Sequence, residues 1–232
     1  MAGMTRWKPN ALGRLEQAAL ELYGERGFDQ TTVADIALRA GLTERTFFRY
    51  FADKREVLFW GARALQELLV GTLAGAPDST APLDAVAAAL EAAAAVLEER
   101  RDYARLRYAL IAAHAELQER ELIKLASLGA ALADTLRRRG VADPAASLTA
   151  EAGIAVFKIA FERWVHDEER RDLSQHIRES LEALKAVAAG QRGAVAAGPV
   201  TAQGTTASRG APSPASRQGR SPKAAPGSSR RA

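Results

Sequence analysis

The chain has no cysteine among its 232 residues, which excludes disulfides, thiolate zinc sites and cysteine nucleophiles at once. Histidine is almost as scarce. His114, His166 and His176 are the only three, none stands in an HExxH arrangement, and no spaced histidine pair offers a metal site. No glycine-rich phosphate loop follows a strand, and no segment alternates like a strand. Paired carboxylates such as Glu98-Glu99 and Glu168-Glu169 are sequence neighbours, so on a helix they diverge by about 100° and read as solvated faces. Catalysis, cofactors and metals are therefore not expected. No run approaches the roughly 18 to 20 apolar residues of a bilayer span, and Met1 to Asn10 lack the basic-then-apolar order of a signal peptide. A cytoplasmic protein without membrane association is the expectation.

Basicity is weaker than it looks. The formal charge is +4, but Arg192, Arg209, Arg217, Arg220, Lys223, Arg230 and Arg231 lie in the last 43 residues with no acid among them, which leaves residues 1–189 at −3. Overall charge thus says little about nucleic acid, and any such reading must rest on a motif. From Gly190 onward there is no leucine, isoleucine, methionine or aromatic residue. Such a segment cannot bury enough surface to offset its ordering entropy, so a disordered basic tail is expected over 190–232. Its cations could add weak, salt-dependent DNA affinity, or serve only solubility.

What remains reads as helix. Short helices are expected from Ala11 to about Phe59, and longer alanine-rich ones, with apolar residues three and four apart, from Gly61 to Ala188. All nine prolines fall at predicted boundaries or in the tail. Gly75 to Pro82 ends one helix and starts another, and Arg137-Arg138-Arg139-Gly140 followed by Asp143-Pro144 does the same. The charged run Asp167 to Asp172 separates a helix ending near His166 from an amphipathic one holding Leu173, Ile177, Leu181 and Leu184. An all-α chain is expected, with a three-helix N-terminal domain over 1–59, a helical bundle over 60–189 and the tail beyond.

The informative stretch runs from Gly27 to Phe51. Thr32 can cap a helix whose third residue, Asp35, brings a carboxylate to its positive end, and Val33, Ile36, Ala37 and Ala40 form the buried stripe. Gly41 permits a left-handed turn, Leu42 plugs the core and Thr43 caps the next helix. On that second helix Phe47 and Phe51 face inward, leaving Glu44, Arg45, Phe48 and Arg49 outside. A helix entering the major groove presents its first residues to base edges, and arginine matches the two acceptors of guanine, so Arg45 is the expected base reader. Thr32, Thr43, Thr46 and Tyr50 carry hydroxyls suited to phosphate oxygens or to caps, and Asp53-Lys54-Arg55-Glu56 resembles a capping box whose free amides and Lys54 could hold a further phosphate.

In its order of threonine, Ile-Ala, Ala-Gly, Leu-Thr, Thr-Phe-Phe, Tyr-Phe and lysine, Ala11 to about Phe59 resembles the DNA-binding domain of the TetR family of bacterial one-component regulators. The resemblance implies an all-helical homodimer joined through its last two helices, bound to a palindromic double-stranded operator and acting as a ligand-responsive repressor near the nucleoid. Two positions depart from the commonest pattern, Arg45 replacing a glycine and Phe48 a tyrosine; Phe48 can offer apolar contact only, for instance to a thymine methyl. A helix-turn-helix kept as a protein-interaction module without DNA binding is the alternative.

The larger half is less legible. Ile154, Phe157, Phe161 and Val165 line one helical face and Ile177, Leu181, Leu184 and Ala188 another, and these stripes fit either a dimer interface or an internal core. Residues whose bulk or polarity interrupts apolar faces, Tyr103, Arg107, Tyr108, His114, Phe157, Phe161 and Trp164, are the candidate effector pocket. Arg105 to Lys124, together with Arg163-Trp164, resembles family members that take acyl-coenzyme A-like ligands, so a small apolar or acyl thioester effector is the expectation.

Overall fold

A computed structural model describes residues 11–190. The basic tail expected past Gly190 lies outside the described residues. Within them the chain is all-α: α1 Ala11–Arg26, α2 Val33–Arg39, α3 Glu44–Tyr50, a 3-10 turn at Glu56–Phe59, α4 Ala62–Ala74, α5 Pro82–Glu98, α6 Arg101–Ala113, α7 Ala115–Arg138, α8 Ala145–His166 and α9 Leu173–Ala188.

Where glycine and proline punctuate the sequence, the helices stop as expected. α7 is closed just past Arg138 by Gly140, whose φ of +87° a side chain would resist, and Val141 completes the last turn by donating to the Leu136 carbonyl at 3.0 Å. Two breaks have no such signal. Between α5 and α6 the chain turns at Glu99–Arg100, and the cause lies far away in sequence: the buried Arg101 donates to the carbonyls of Trp164 (2.9 Å), Asp167 (3.1 Å) and Arg171 (3.1 Å). Its guanidinium satisfies the open end of α8, and a cation suits that end of a helix dipole. Between α6 and α7 the backbone of His114 is extended. Its carbonyl accepts from the amides of Leu117 and Gln118, and its Nδ1 lies 2.8 Å from the Leu110 carbonyl.

Two cores result. The N-terminal one gathers Leu15, Ala19 and Leu22 of α1, Phe28, Ile36, Phe47 and Phe51, and Val57, Leu58 and Phe59 of the 3-10 turn. It is completed by Leu110 and Ile111 at the end of α6 and Leu117 in the first turn of α7. The second core is alanine-rich: Ala85, Ala89 and Ala93 of α5 meet Ala146, Ala150 and Ala160 of α8, with Leu132, Leu136, Trp164 and Ile177 filling around them. Small residues let these helices approach closely. A Cβ on Gly153 would lie 2.5 Å from the Val86 side chain.

The two stripes that the sequence left open divide by burial, with Phe161 and Leu184 half-buried against the core and Ala188 exposed. Ile154, Phe157 and Val165 are buried inside the bundle, as are Ile177 and Leu181, so they are internal core. Glu56–Ala74, with a mean hydropathy of 1.2, also meets the length and composition of a membrane span, contrary to the expectation that no run would. The 3-10 turn and α4 divide it at Trp60–Gly61. Val57 to Phe59 enter one core, Leu69 and Leu73 the other, and Arg63 pairs with Glu67 on the outer face at 2.8 Å.

Candidate nucleic-acid interface

The helix pair is set by its caps. Thr32 Oγ1 accepts from the Asp35 amide at 3.1 Å while Asp35 Oδ2 accepts from the Thr32 amide at 3.0 Å and its hydroxyl at 2.6 Å, a complete capping box. Hydrogen bonds from the Thr32 hydroxyl and amide hold the Asp35 carboxyl below its ordinary range. α2 closes at Ala40, and Gly41 takes a φ of +63° so that the Leu42 amide can reach the Ala37 carbonyl at 2.8 Å. Arg14 crosses from α1 to donate to the carbonyls of Ala40 and Gly41. Thr43 then caps α3, accepting from the Thr46 amide at 3.2 Å.

Phe47 of α3 and Phe51, which caps its end, face the core, their rings 5.3 Å apart. Glu44, Arg45, Phe48, Arg49 and Tyr50 are exposed on the other side. The hydroxyls of Thr43 and Thr46 lie 3.0 Å apart, and Arg49 donates to the Tyr50 hydroxyl at 3.0 Å while its guanidinium stands over that ring. Most cations of this half are engaged. Arg39 makes a two-pronged pair with Glu25 at 2.7 and 2.8 Å, Arg55 binds Asp53 at 2.7 Å, and Arg26 lies 3.7 Å from Asp35. Among the described residues, Arg45 forms no hydrogen bond or ion pair, and neither does Glu44.

Lys54 differs from the sequence expectation. Its ammonium turns inward, donating to the carbonyls of Phe28 (2.8 Å), Thr31 (3.0 Å) and Asp29 (3.4 Å), and stands 4.4 Å from the centre of the Phe28 ring. The neighbouring amides are used as well, since Asp53 Oδ1 accepts from those of Arg55 and Glu56. Of the expected capping box only this half forms. Glu56 turns instead to Arg120 at 2.5 Å and Lys124 at 3.9 Å.

The seven candidate effector residues separate into two groups. Phe157, Phe161 and Trp164 stack along α8 with centroids 5.7 and 5.4 Å apart, and Tyr108 of α6 joins them 6.3 Å from Phe161. The other three face the N-terminal core. Arg107 donates to the Leu58 carbonyl at 2.7 Å and pairs with Glu121 at 2.6 Å, and His114 packs on the Phe28 ring at 5.1 Å. Tyr103 lies under Arg100, which itself reaches the buried Glu16 of α1 at 2.5 Å; burial pushes the Tyr103 hydroxyl up. Two surface cavities of about 400 and 420 Å³, one bordered by Glu98, Glu99 and Asp172 and the other by Leu20, Gly24 and Leu106, contain none of the seven.

Sequence reasoning did not anticipate the charged seam between the segment after α3 and the start of α7. Arg55 meets Glu116 at 3.3 Å, and Arg120 meets Glu56 as well as Asp53 at 3.5 Å. Glu116, Arg120 and Lys124 do stand four apart, which marks one helical face, but nothing local names their partners.

Residues 16–59 match the family model of bacterial regulatory proteins, tetR family, and residues 80–189 that of the MftR C-terminal domain. The HTH-type transcriptional regulator TcmR of Streptomyces glaucescens is 38% identical over 79 residues, which are 34% of this chain and only 35% of that protein. A putative mycofactocin biosynthesis transcriptional regulator, MftR of Mycobacterium tuberculosis (strain ATCC 25618 / H37Rv), is 31% identical over 158 residues, covering 66% of this chain and 79% of that one. Among solved structures, the transcriptional regulator FadR from Bacillus subtilis in complex with stearoyl-CoA shares the fold, with a TM-score of 0.55 at 19% identity over 74% of this chain and 96% of that one.

Proposed function

Because this chain belongs to the TetR family, with an MftR-like C-terminal domain, and is a DNA-binding transcriptional regulator and not an enzyme, we propose that it works as a cytoplasmic, homodimeric repressor released from a palindromic operator by a small effector. The observation that carries the reading is the outer face of α3. Arg45 is exposed and unengaged where a helix in the major groove offers its first turn to base edges, while Arg26, Arg39 and Arg55 are tied to carboxylates and Arg14 and Lys54 to backbone carbonyls. Arg45 reads guanine, and Arg49, Tyr50, Thr43 and Thr46 hold phosphates around it. Thr32 and Lys54 act from behind, one fixing the start of α2 and the other binding three carbonyls of the loop before it.

A second copy packs on the outer face of α8 and α9. Leu148 and Ile159 on α8 and Val187 on α9 are large apolar residues left more than half exposed, and Leu148, Ala155 and Ile159 share one side of α8. The two α3 helices then enter successive major grooves, about 34 Å apart on B-form DNA, so a small spread of the pair loses contacts in both half-sites. The effector is a small apolar molecule received against Tyr108, Phe157 and Phe161, beside the fully buried Trp164. An acyl-coenzyme A thioester is the first compound to test, since the Bacillus subtilis fold neighbour was crystallised with one.

Genome-wide capture of DNA by the purified protein tests this. An enriched inverted repeat, bound with lower affinity once an acyl thioester or a compound linked to the neighbouring genes is added, is the expected result. Failure to enrich any palindrome would overturn the reading.

A further inference from the structure

Resting on α3 as the reading helix, we infer that Glu44 is a specificity residue which accepts from the exocyclic amino group of cytosine, beside the guanine held by Arg45. Glu44 and Arg45 are the first two residues of α3, both exposed, and neither has a partner within the protein among the described residues. They diverge by about 100°, so they address different base edges and do not neutralise each other. Glu44 lies one turn above Phe48, which is 56% exposed, and Arg45 one turn above Arg49.

A carboxylate carried into a groove walled by phosphates is repelled unless it gains a donor. The major groove offers two, the amino groups of cytosine and adenine, but adenine sets its own N7 acceptor beside the amino group, where a carboxylate has nothing to give. Cytosine is the better match. Arg45 complements the opposite pattern, the paired acceptors of guanine, so the two side chains together demand G·C pairs where the first turn of α3 meets the half-site. Phe48, directly below Glu44, adds an apolar surface that suits a thymine methyl on the next pair.

A carboxylate at the start of a helix also favours the helix dipole, and that role makes a different forecast. Selection from random duplex DNA with the full-length protein separates them. The wild type enriches an inverted repeat with a fixed cytosine in each half-site. Glu44→Gln moves the preference at that one position toward adenine, whose N6 and N7 a carboxamide matches, by on the order of tenfold. Glu44→Ala flattens the position and, having removed an anion, binds unrelated DNA more tightly. Base preferences unchanged at every position in both variants, with melting curves confirming folded protein, would refute the assignment while leaving DNA reading intact. A wild type that enriches no repeat removes the underlying reading and this inference with it.

Discussion

At the scale of single residues, position and partners divide the same chemical type into different roles. Arg45 and Lys54 are both cations near α3, yet one is unengaged and the other fills a ring of carbonyls. Arg45→Ala should therefore leave stability within about 0.5 kcal/mol, as surface changes usually do, while operator affinity falls; paired urea melts and mobility-shift titrations check this. Lys54→Met should do the reverse first, costing about 1–3 kcal/mol through the three carbonyls it abandons, with DNA affinity following the loss of fold. Gly41 is a third case. At φ +63°, with the Arg14 guanidinium 2.8 Å from where a Cβ would stand, Gly41→Ala should cost at least about 1 kcal/mol in the same melts.

Among helices and their junctions, the charged seam ties the segment after α3 to the start of α7. Reversing one side, Arg120→Glu, places a third carboxylate beside Asp53 and Glu56. It should weaken operator binding and loosen the seam, and adding Glu56→Arg should restore a good part of both, a rescue that a double-mutant cycle of DNA affinity would register. Junctions also explain what could be foreseen. The turn at Gly41 and the ends at Ala74 and Arg138 were legible because each is fixed by a glycine, a proline or a capping side chain within a few residues. The breaks at Arg100 and His114 were not, since the first depends on Arg101 finding carbonyls more than sixty residues away and the second has neither glycine, proline nor a capping side-chain bond, the His114 ring packing instead on Phe28. Within the interface the same division holds. Thr32 with Asp35 and Thr43 with Thr46 are local pairs that spacing reveals, whereas Lys54 answers to carbonyls 23 to 26 residues earlier.

For the whole molecule, the buried junction of α8 and α9 links protonation to stability. Burial opposes ionisation of Asp167, but hydrogen bonds from His176 at 2.8 Å, the Glu169 amide and Arg171 outweigh it and bring its pKa from 3.8 down to about 2. A carboxyl depressed on folding stabilises fully above its unfolded pKa, so this contribution is present above about pH 4 and is lost as pH falls toward 2. Thermal melts from pH 6 to 2.5 should show a decline that Asp167→Asn reduces, from a lower starting Tm. Assembly is testable at the same scale: Ile159→Asp puts a charge on the exposed side of α8 and should shift sedimentation from dimer toward monomer while helix content holds.

The core that holds α1 to α3 takes Leu110, Ile111 and Leu117 from the elbow between α6 and α7. That loan sets the unit of exchange. A chimera joined near residue 60, which would graft this reading head onto another regulator's body, leaves Phe28, Phe59 and their neighbours against whatever elbow the new body supplies. Recombination that moves the elbow with the head carries this core's own contacts along, and in this chain the portable cassette is discontinuous in sequence.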